Sequence, residues 1–210
     1  MSLLAAIACV GSLLSPDPAT AEPNFVGAEK CKACHGKELM GDQYSAWRAG
    51  PHGQAFNSLS STKADEIARR LGLSRAASAS PECLRCHSTA DRIDQARAAY
   101  EVKREDGVQC ESCHGPGHEY RKKKIMSDQK KSAAAGLWQA GRDASICTKC
   151  HNAESPTFDE SRYSPTDGSR SGFDFDQARA RIPHSIPEQV KGRYVELERE
   201  AKEKARRAKR

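Results

Sequence analysis

One pattern occurs four times in this chain: two cysteines separated by two residues, with a histidine directly after the second cysteine. The copies are Cys31-Lys-Ala-Cys34-His35, Cys83-Leu-Arg-Cys86-His87, Cys110-Glu-Ser-Cys113-His114 and Cys147-Thr-Lys-Cys150-His151, numbered motifs 1 to 4. They use eight of the nine cysteines, and Cys9 alone lies outside them. A spacing repeated this faithfully indicates that every copy serves the same chemistry.

That chemistry is covalent haem attachment, since Cys-x-x-Cys-His is the signature of c-type haem. The two thiols bond to the haem vinyl groups and the histidine binds the iron from one side. Zinc sites also use paired cysteines but rarely need a histidine after every pair. Disulfides occur in exported chains but do not explain four equal spacings, and thioredoxin-like pairs need a strand–helix context. The pattern therefore predicts four covalently bound haems, with His35, His87, His114 and His151 as proximal iron ligands.

Three further histidines, His52, His118 and His184, remain after the four proximal ligands are assigned. Haem iron takes two axial ligands, so the surplus histidines are predicted to be distal ligands. Three distal ligands for four haems leave one iron five-coordinate and open to a small ligand. Met40 or Met126 could fill that position as a thioether ligand, although methionine in a small core more often serves packing.

His118 follows the proximal ligand His114 by only four residues. Four residues span at most ~14 Å when fully extended, and here they would have to pass around the porphyrin edge. The intervening Gly115-Pro116-Gly117 favours a compact turn instead. His118 is therefore expected to reach a different iron from His114, or none.

The composition fits a fold in which cofactors supply part of the core. Apolar residues make up 37% and aromatic residues 6% of the chain, while 30% of its residues are charged. Strand signals are nearly absent, and we expect a mainly α fold of short helices and loops wrapped around four haems, with almost no β structure. Predicted helices are residues 36–48, carrying Tyr44 and Trp47 inward, a helix capped by Thr62, and residues 90–104, 119–135 and 174–182.

The two ends of the chain have distinct compositions. Residues 1–21 resemble a secretory signal peptide, with an apolar run from Leu3 to Leu14 and a small-x-small cleavage site at Ala19 to Ala21. The run is too short to span a bilayer, and acylation of Cys9 in a lipoprotein is a further alternative. No other stretch is apolar enough to span a membrane. The predicted domains are therefore the signal peptide, a tetrahaem domain over residues 22–186, and a charged basic helix over residues 187–210, in a periplasmic protein.

The basic tail has two interpretations. It is either a solvated helix or a contact for an acidic redox partner, and the net charge of +6 is weak support for such a partner. Nucleic-acid binding is disfavoured because the protein is expected to be exported and aromatic residues are not interleaved with the charges.

Four stretches resemble the tetrahaem cytochrome c-554 family, of the c-552/c-554 type found in nitrogen-cycle bacteria such as ammonia oxidisers. They are "FVGAEKCKACHGKELMGDQYSAWRAGPHGQAFNSL", "ECLRCH", "GVQCESCHGPG" and "CTKCHNAESPTF", within residues 25–186. The resemblance implies that His118 binds the same iron as His35, His52 the same iron as His114, and His184 the same iron as His151. The haem of His87 would then be high-spin.

The resemblance also implies a function. It indicates electron transfer from a donor like hydroxylamine oxidoreductase to a membrane-bound cytochrome or quinone reductase, with no reaction catalysed by the chain itself. An alternative is reduction of nitric oxide or a related nitrogen oxide at the open His87 haem. A third is a subunit of a larger multihaem assembly.

Overall fold

The fold consists of short helices joined by loops and turns. The computed structural model describes residues 24–38, 41–159, 173–183 and 203–207. The α-helices are α1 (Ala28–His35), α2 (Gln43–Ala49), α3 (Ala55–Ser58), α4 (Thr62–Arg70), α5 (Pro81–His87), α6 (Cys110–His114), α7 (Lys123–Met126), α8 (Gln129–Ala134), α9 (Ser145–Thr148) and α10 (Phe175–Ala180). The described part of the chain contains no strand beyond an isolated bridge between Phe25 and Ala98. The mainly α prediction is confirmed.

Several predictions concern residues outside the described ranges. They are the signal segment 1–21, the ligand candidates Met40 and His184, and most of the C-terminal segment 187–210, of which 203–207 are helical. In the part of the chain that is described, no helix is both long and apolar enough to cross a membrane.

Of the helix predicted over residues 36–48, the structure shows only the later part, as α2. Gly36 ends α1, and α2 begins only at Gln43, after Asp42. Asp42 adopts a left-handed conformation with φ of 40°, and its side chain accepts a hydrogen bond from the Ser45 N–H. This local bond competes with continuation of a helix and starts a new one. The inward positions of Tyr44 and Trp47 are confirmed, because both side chains are buried.

Other predicted helices are also shorter than expected. Residues 90–104 form 3₁₀ turns at Gln95–Arg97 and from Arg104 onward rather than an α-helix. Residues 119–135 contain two helices, α7 and α8, because Asp128 accepts hydrogen bonds from the N–H groups of Lys130 and Lys131 and starts α8. The cap of α4 is Ser61 rather than Thr62. Capping residues therefore determine these boundaries more than helix propensity does.

Seven of the twelve buried apolar residues in the described part of the chain form two small clusters next to Cys-x-x-Cys-His motifs. One comprises Leu59, Ala68, Ala77 and Leu84, with Cys83 of motif 2 packed against it. The other comprises Ala28, Tyr44 and Trp47, with Cys110 of motif 3 packed against it. Clusters of this size remove little apolar area from water, which agrees with the expectation that bound cofactors complete the core.

Helix α2 is attached to the segment that leads into α6. The indole N–H of Trp47 donates to the Val108 carbonyl at 2.8 Å. Arg48 forms an ion pair with the largely buried Asp106 at 3.1 Å. These long-range contacts place the loop after α2, which carries His52, beside the start of motif 3.

Candidate haem sites

Each Cys-x-x-Cys-His motif lies at the C-terminal end of a helix. Helices α1, α5 and α6 end at His35, His87 and His114. In motif 4 the helix α9 ends at Thr148, and the His151 N–H continues the turn by donating to the Cys147 carbonyl at 3.0 Å. Residues three and four apart share a helix face. Helical geometry therefore presents both thiols and the histidine of a motif on one side.

The donor set fits covalently bound haem. All eight cysteines of the motifs are free thiols, and Cys34 is exposed while the others are partly buried. Each motif therefore provides two thiols for thioether bonds and one imidazole for the iron. Among the described residues, no group of three or more histidine, cysteine, aspartate or glutamate side chains is arranged to hold a bare metal ion.

Two of the histidines predicted as proximal ligands are oriented by groups that accept a hydrogen bond. The Nδ1 of His87 lies 2.9 Å from the Ala55 carbonyl oxygen, and the Nδ1 of His35 lies 3.2 Å from Oε1 of Gln43. A carbonyl oxygen only accepts hydrogen bonds, so Nδ1 must carry the proton in both rings. The Nε2 lone pair is then available for iron, as in most histidines that bind metals.

The four motifs are arranged in contact pairs. The thiols of Cys31 in motif 1 and Cys110 in motif 3 lie close enough for each to shift the pKa of the other. The same holds for Cys86 in motif 2 and Cys150 in motif 4. Helix α6 of motif 3 packs against both α1 and α9. The motifs therefore follow one another in space in the order 1, 3, 4, 2.

The thiol pKa values reflect these contacts. The hydrogen bond with Cys150 lowers the pKa of the Cys86 thiol and raises that of Cys150. Burial raises the pKa of Cys113 to about 11. The thiols of motifs 2 and 4 are therefore neighbours, and Cys113 is partly buried.

The loop carrying His118 turns at residues 118–121, where the Arg121 N–H donates to the Gly117 carbonyl at 3.0 Å. The His118 N–H donates to the Asn24 carbonyl at 3.1 Å, and the Tyr120 hydroxyl donates to the Gly115 carbonyl at 2.7 Å. The Nδ1 of His118 lies 2.7 Å from Oε1 of Glu119, which leaves Nε2 as the candidate iron ligand. The loop is thereby attached to the segment before motif 1. This proximity agrees with a His118 ligand for the first haem, an assignment that stays a prediction.

His52 follows α2 and lies near motif 4. Its ring centroid is 6.0 Å from that of His151, with an angle of 55° between the rings, and His151 stacks on Phe173 at 5.7 Å. The family resemblance instead assigns His52 to the iron of His114, and His184 to that of His151. Because His184 lies outside the described residues, the pairing stays a prediction for both irons.

The backbone of His52 is held by a close approach at Gly107. The Val108 N–H donates to the His52 carbonyl at 3.0 Å. Gly107 has φ of +61°, and a Cβ there would lie 2.6 Å from the same oxygen. We expect Gly107→Ala to lower the free energy of unfolding by more than the ~1–2 kcal/mol of left-handed strain, and to displace His52.

The matched control for this substitution is Gly72→Ala. Gly72 has φ of +72°, but a Cβ there would have no atom within 4 Å, so only the strain applies. Thermal or denaturant unfolding of both purified variants measures the difference. Equal losses of stability would contradict a specific contact between residue 107 and the His52 backbone.

Sequence reasoning did not single out Glu111, the residue after Cys110. Its side chain is fully buried at 0% exposure. The carboxylate accepts hydrogen bonds from the N–H groups of Val26 and Gly27, both at 2.9 Å, and of Gly117 at 2.6 Å. The Gln109 amide donates a further bond at 2.9 Å. A charged residue inside a haem-attachment motif was the available signal, but its partners are distant in sequence.

Thr89 connects motif 2 to motif 3. Its hydroxyl lies 2.7 Å from Oγ of Ser112 and accepts a hydrogen bond from the Gln109 N–H at 2.9 Å. Thr89 is also buried. The segment that follows His87, rather than motif 2 itself, is thus fixed against α6.

Comparison with known proteins finds similarity in the region of motifs 1 to 3. Residues 30–115, which contain these motifs, match the family described as Cytochrome c554 and c-prime. The chain is 28% identical to Cytochrome c-554 of Nitrosomonas europaea over 159 residues, covering 69% of this chain and 64% of that protein. The chain therefore spans slightly less than two thirds of that relative's length.

A solved structure is also similar in part. It is the reduced state of cytochrome c554 from Nitrosomonas europaea, with 24% sequence identity and a TM-score of 0.47. The match covers 81% of this chain and 83% of the other.

Proposed function

Because residues 30–115 match the family described as Cytochrome c554 and c-prime, we propose that this chain is an exported tetrahaem c-type cytochrome that carries electrons between redox proteins. The observation that supports this most directly is the set of four motifs with free thiols, in spatial contact in the order 1, 3, 4, 2. A carrier needs several redox centres close together, and this order brings each motif next to another.

When bound, each haem supplies a one-electron couple between ferric and ferrous iron. The residues that would attach haem covalently are Cys31, Cys34, Cys83, Cys86, Cys110, Cys113, Cys147 and Cys150. The proximal ligands would be His35, His87, His114 and His151. The residues around them hold these side chains in place, as the Ala55 carbonyl does for the Nδ1 proton of His87.

The axial ligands proposed opposite these histidines are His52, His118 and His184. Three sites would then have two histidine ligands, and the His87 site would have one. Two nitrogen ligands keep the coordination unchanged when the oxidation state changes, which suits electron transfer. The single-histidine site would remain accessible to a small ligand.

The remaining parts of the proposal concern location and partners. The signal-like residues 1–21 support export to the periplasm, with residues 22–186 as the haem domain and 187–210 as a basic tail. The resemblance to cytochrome c-554 supports a donor like hydroxylamine oxidoreductase and a membrane cytochrome as acceptor. Electrons would enter at one end of the motif series and leave at the other.

The test is haem content and spin state in the purified, fully oxidised protein. We expect a mass that corresponds to four attached haems and a high-spin EPR signal from one haem in four. A mass with fewer haems would contradict the attachment sites. Four low-spin haems would contradict the five-coordinate assignment and would leave the proposed carrier function intact.

A further inference from the structure

Glu111 contributes a buried negative charge surrounded by neutral donors. Its Oε1 accepts from the N–H groups of Val26 and Gly117, and its Oε2 accepts from Gly27 and the Gln109 amide. The Val26 nitrogen also lies 3.1 Å from Oε2. A carboxylate accepts all of these hydrogen bonds with its two oxygens. A glutamine amide at this position would place its own NH₂ donor against backbone N–H groups.

The donors come from the segments around two haem sites. Val26 and Gly27 directly precede α1, which carries motif 1. Gly117 directly precedes the candidate ligand His118, and Glu111 itself is part of motif 3. One carboxylate therefore holds together motif 1, motif 3 and the loop that carries His118.

Motifs 2 and 4 have no counterpart of this group. The residues between their cysteines are Leu84 and Arg85 in motif 2, and Thr148 and Lys149 in motif 4. Neither pair contains an acidic side chain. Among the described residues, the buried acidic side chains are Glu111 and Asp106, and Asp106 also lies close to motif 3 in the chain.

A buried anion changes the equilibrium of a nearby iron. Ferric haem carries one more positive charge than ferrous haem, so a fixed negative charge stabilises the oxidised form and lowers the reduction potential. At an effective dielectric constant of ~20, a unit charge at roughly 12 Å shifts such an equilibrium about tenfold. Because the Glu111 side chain has no contact with solvent, salt screens its charge much less than that of an exposed residue.

We propose that Glu111 is a positioning residue for the haems of motifs 1 and 3, and that its charge lowers their reduction potentials relative to those of motifs 2 and 4. The inference rests on the proposed tetrahaem function. It assigns to one carboxylate both the attachment of the His118 loop and an electrostatic difference along the series. Such a difference gives electrons a preferred direction.

The test is a redox titration of the four-haem protein and its Glu111→Gln variant, each first checked for four haems by mass. We expect the reduction potentials of two of the four haems to rise in the variant by about 59 mV. For one electron this corresponds to about a tenfold change in the ferric to ferrous ratio. The other two couples serve as an internal reference. The inference is overturned if no reduction potential rises or if all four rise equally.

The matched control is Glu82→Gln. Glu82 also lies next to a motif cysteine, but its side chain is exposed, so solvent screens its charge. We expect the four reduction potentials of this variant to equal those of the wild type. An equal rise in this variant would overturn the special role of the buried carboxylate.

A second variant tests the inference if the Glu111→Gln protein does not assemble with four haems. Gln109→Met removes one donor to Glu111 and keeps the charge, and Oε1 of Gln109 has no partner within the described residues. The Glu111 charge is then less compensated by hydrogen bonds, so the reduction potentials of the same two haems should fall. Unchanged or raised reduction potentials would overturn the inference. A wild-type protein with fewer than four attached haems would overturn the proposed function instead.

Discussion

Replacing Cys110 and Cys113 together with alanine should give a protein with three attached haems that is split into two redox segments. Without the two thiols, motif 3 cannot form thioether bonds. Motif 3 contacts motif 1 through the Cys31–Cys110 thiol pair, and its helix α6 packs on α9 of motif 4. Its loss therefore separates motif 1 from motifs 4 and 2.

The matched variant replaces Cys83 and Cys86 of motif 2 with alanine. It should also lose one haem, but motif 2 stands at the end of the series, so motifs 1, 3 and 4 remain contiguous. Mass spectrometry and haem content verify the loss in both variants. When the haems are rapidly reduced and the reduction is followed by absorbance, a second, slower phase should appear only in the Cys110/Cys113 variant. Identical kinetics in the two variants would contradict the spatial order 1, 3, 4, 2.

Replacing His118 with alanine should convert a second haem to the high-spin state. If the wild type has one high-spin haem in four, the variant should have two, because an iron that loses its distal imidazole retains only the proximal one. The EPR spectrum of the oxidised protein measures this fraction directly. The expected change is large because spin state responds to the presence or absence of a ligand.

Glu119→Gln is the control for His118→Ala. Glu119 accepts a hydrogen bond from Nδ1 of His118 at 2.7 Å, and glutamine retains an acceptor oxygen without the charge. The imidazole is kept, so the high-spin fraction should stay at the wild-type value. If His118→Ala also leaves that fraction unchanged, His118 is not an iron ligand.

The helix boundaries show where prediction from sequence was weakest. Residues 36–48 and 119–135 are rich in helix formers, yet Asp42 and Asp128 begin new helices within these ranges. Such caps are single side-chain bonds to nearby N–H groups, and they compete with helix propensities that differ by fractions of a kcal/mol. The inward positions of Tyr44 and Trp47 were predicted correctly because burial follows the broader apolar pattern.

The sequence by itself determined the helical class of this protein and predicted its attachment chemistry. A Cys-x-x-Cys-His motif is a local unit: its thiols and imidazole are brought to one helix face by the spacing alone, whatever the rest of the fold does. The resemblance to the cytochrome c-554 family also depended on such local stretches. These properties require no knowledge of distant contacts.

The tertiary structure alone decided which motifs are neighbours and what holds them. The Cys31–Cys110 and Cys86–Cys150 contacts join residues far apart in the chain. Glu111 bonds to Val26 across 85 positions. Many pairings of this kind are compatible with the same local patterns, and the choice among them follows from packing and from the need to give every buried polar group a partner.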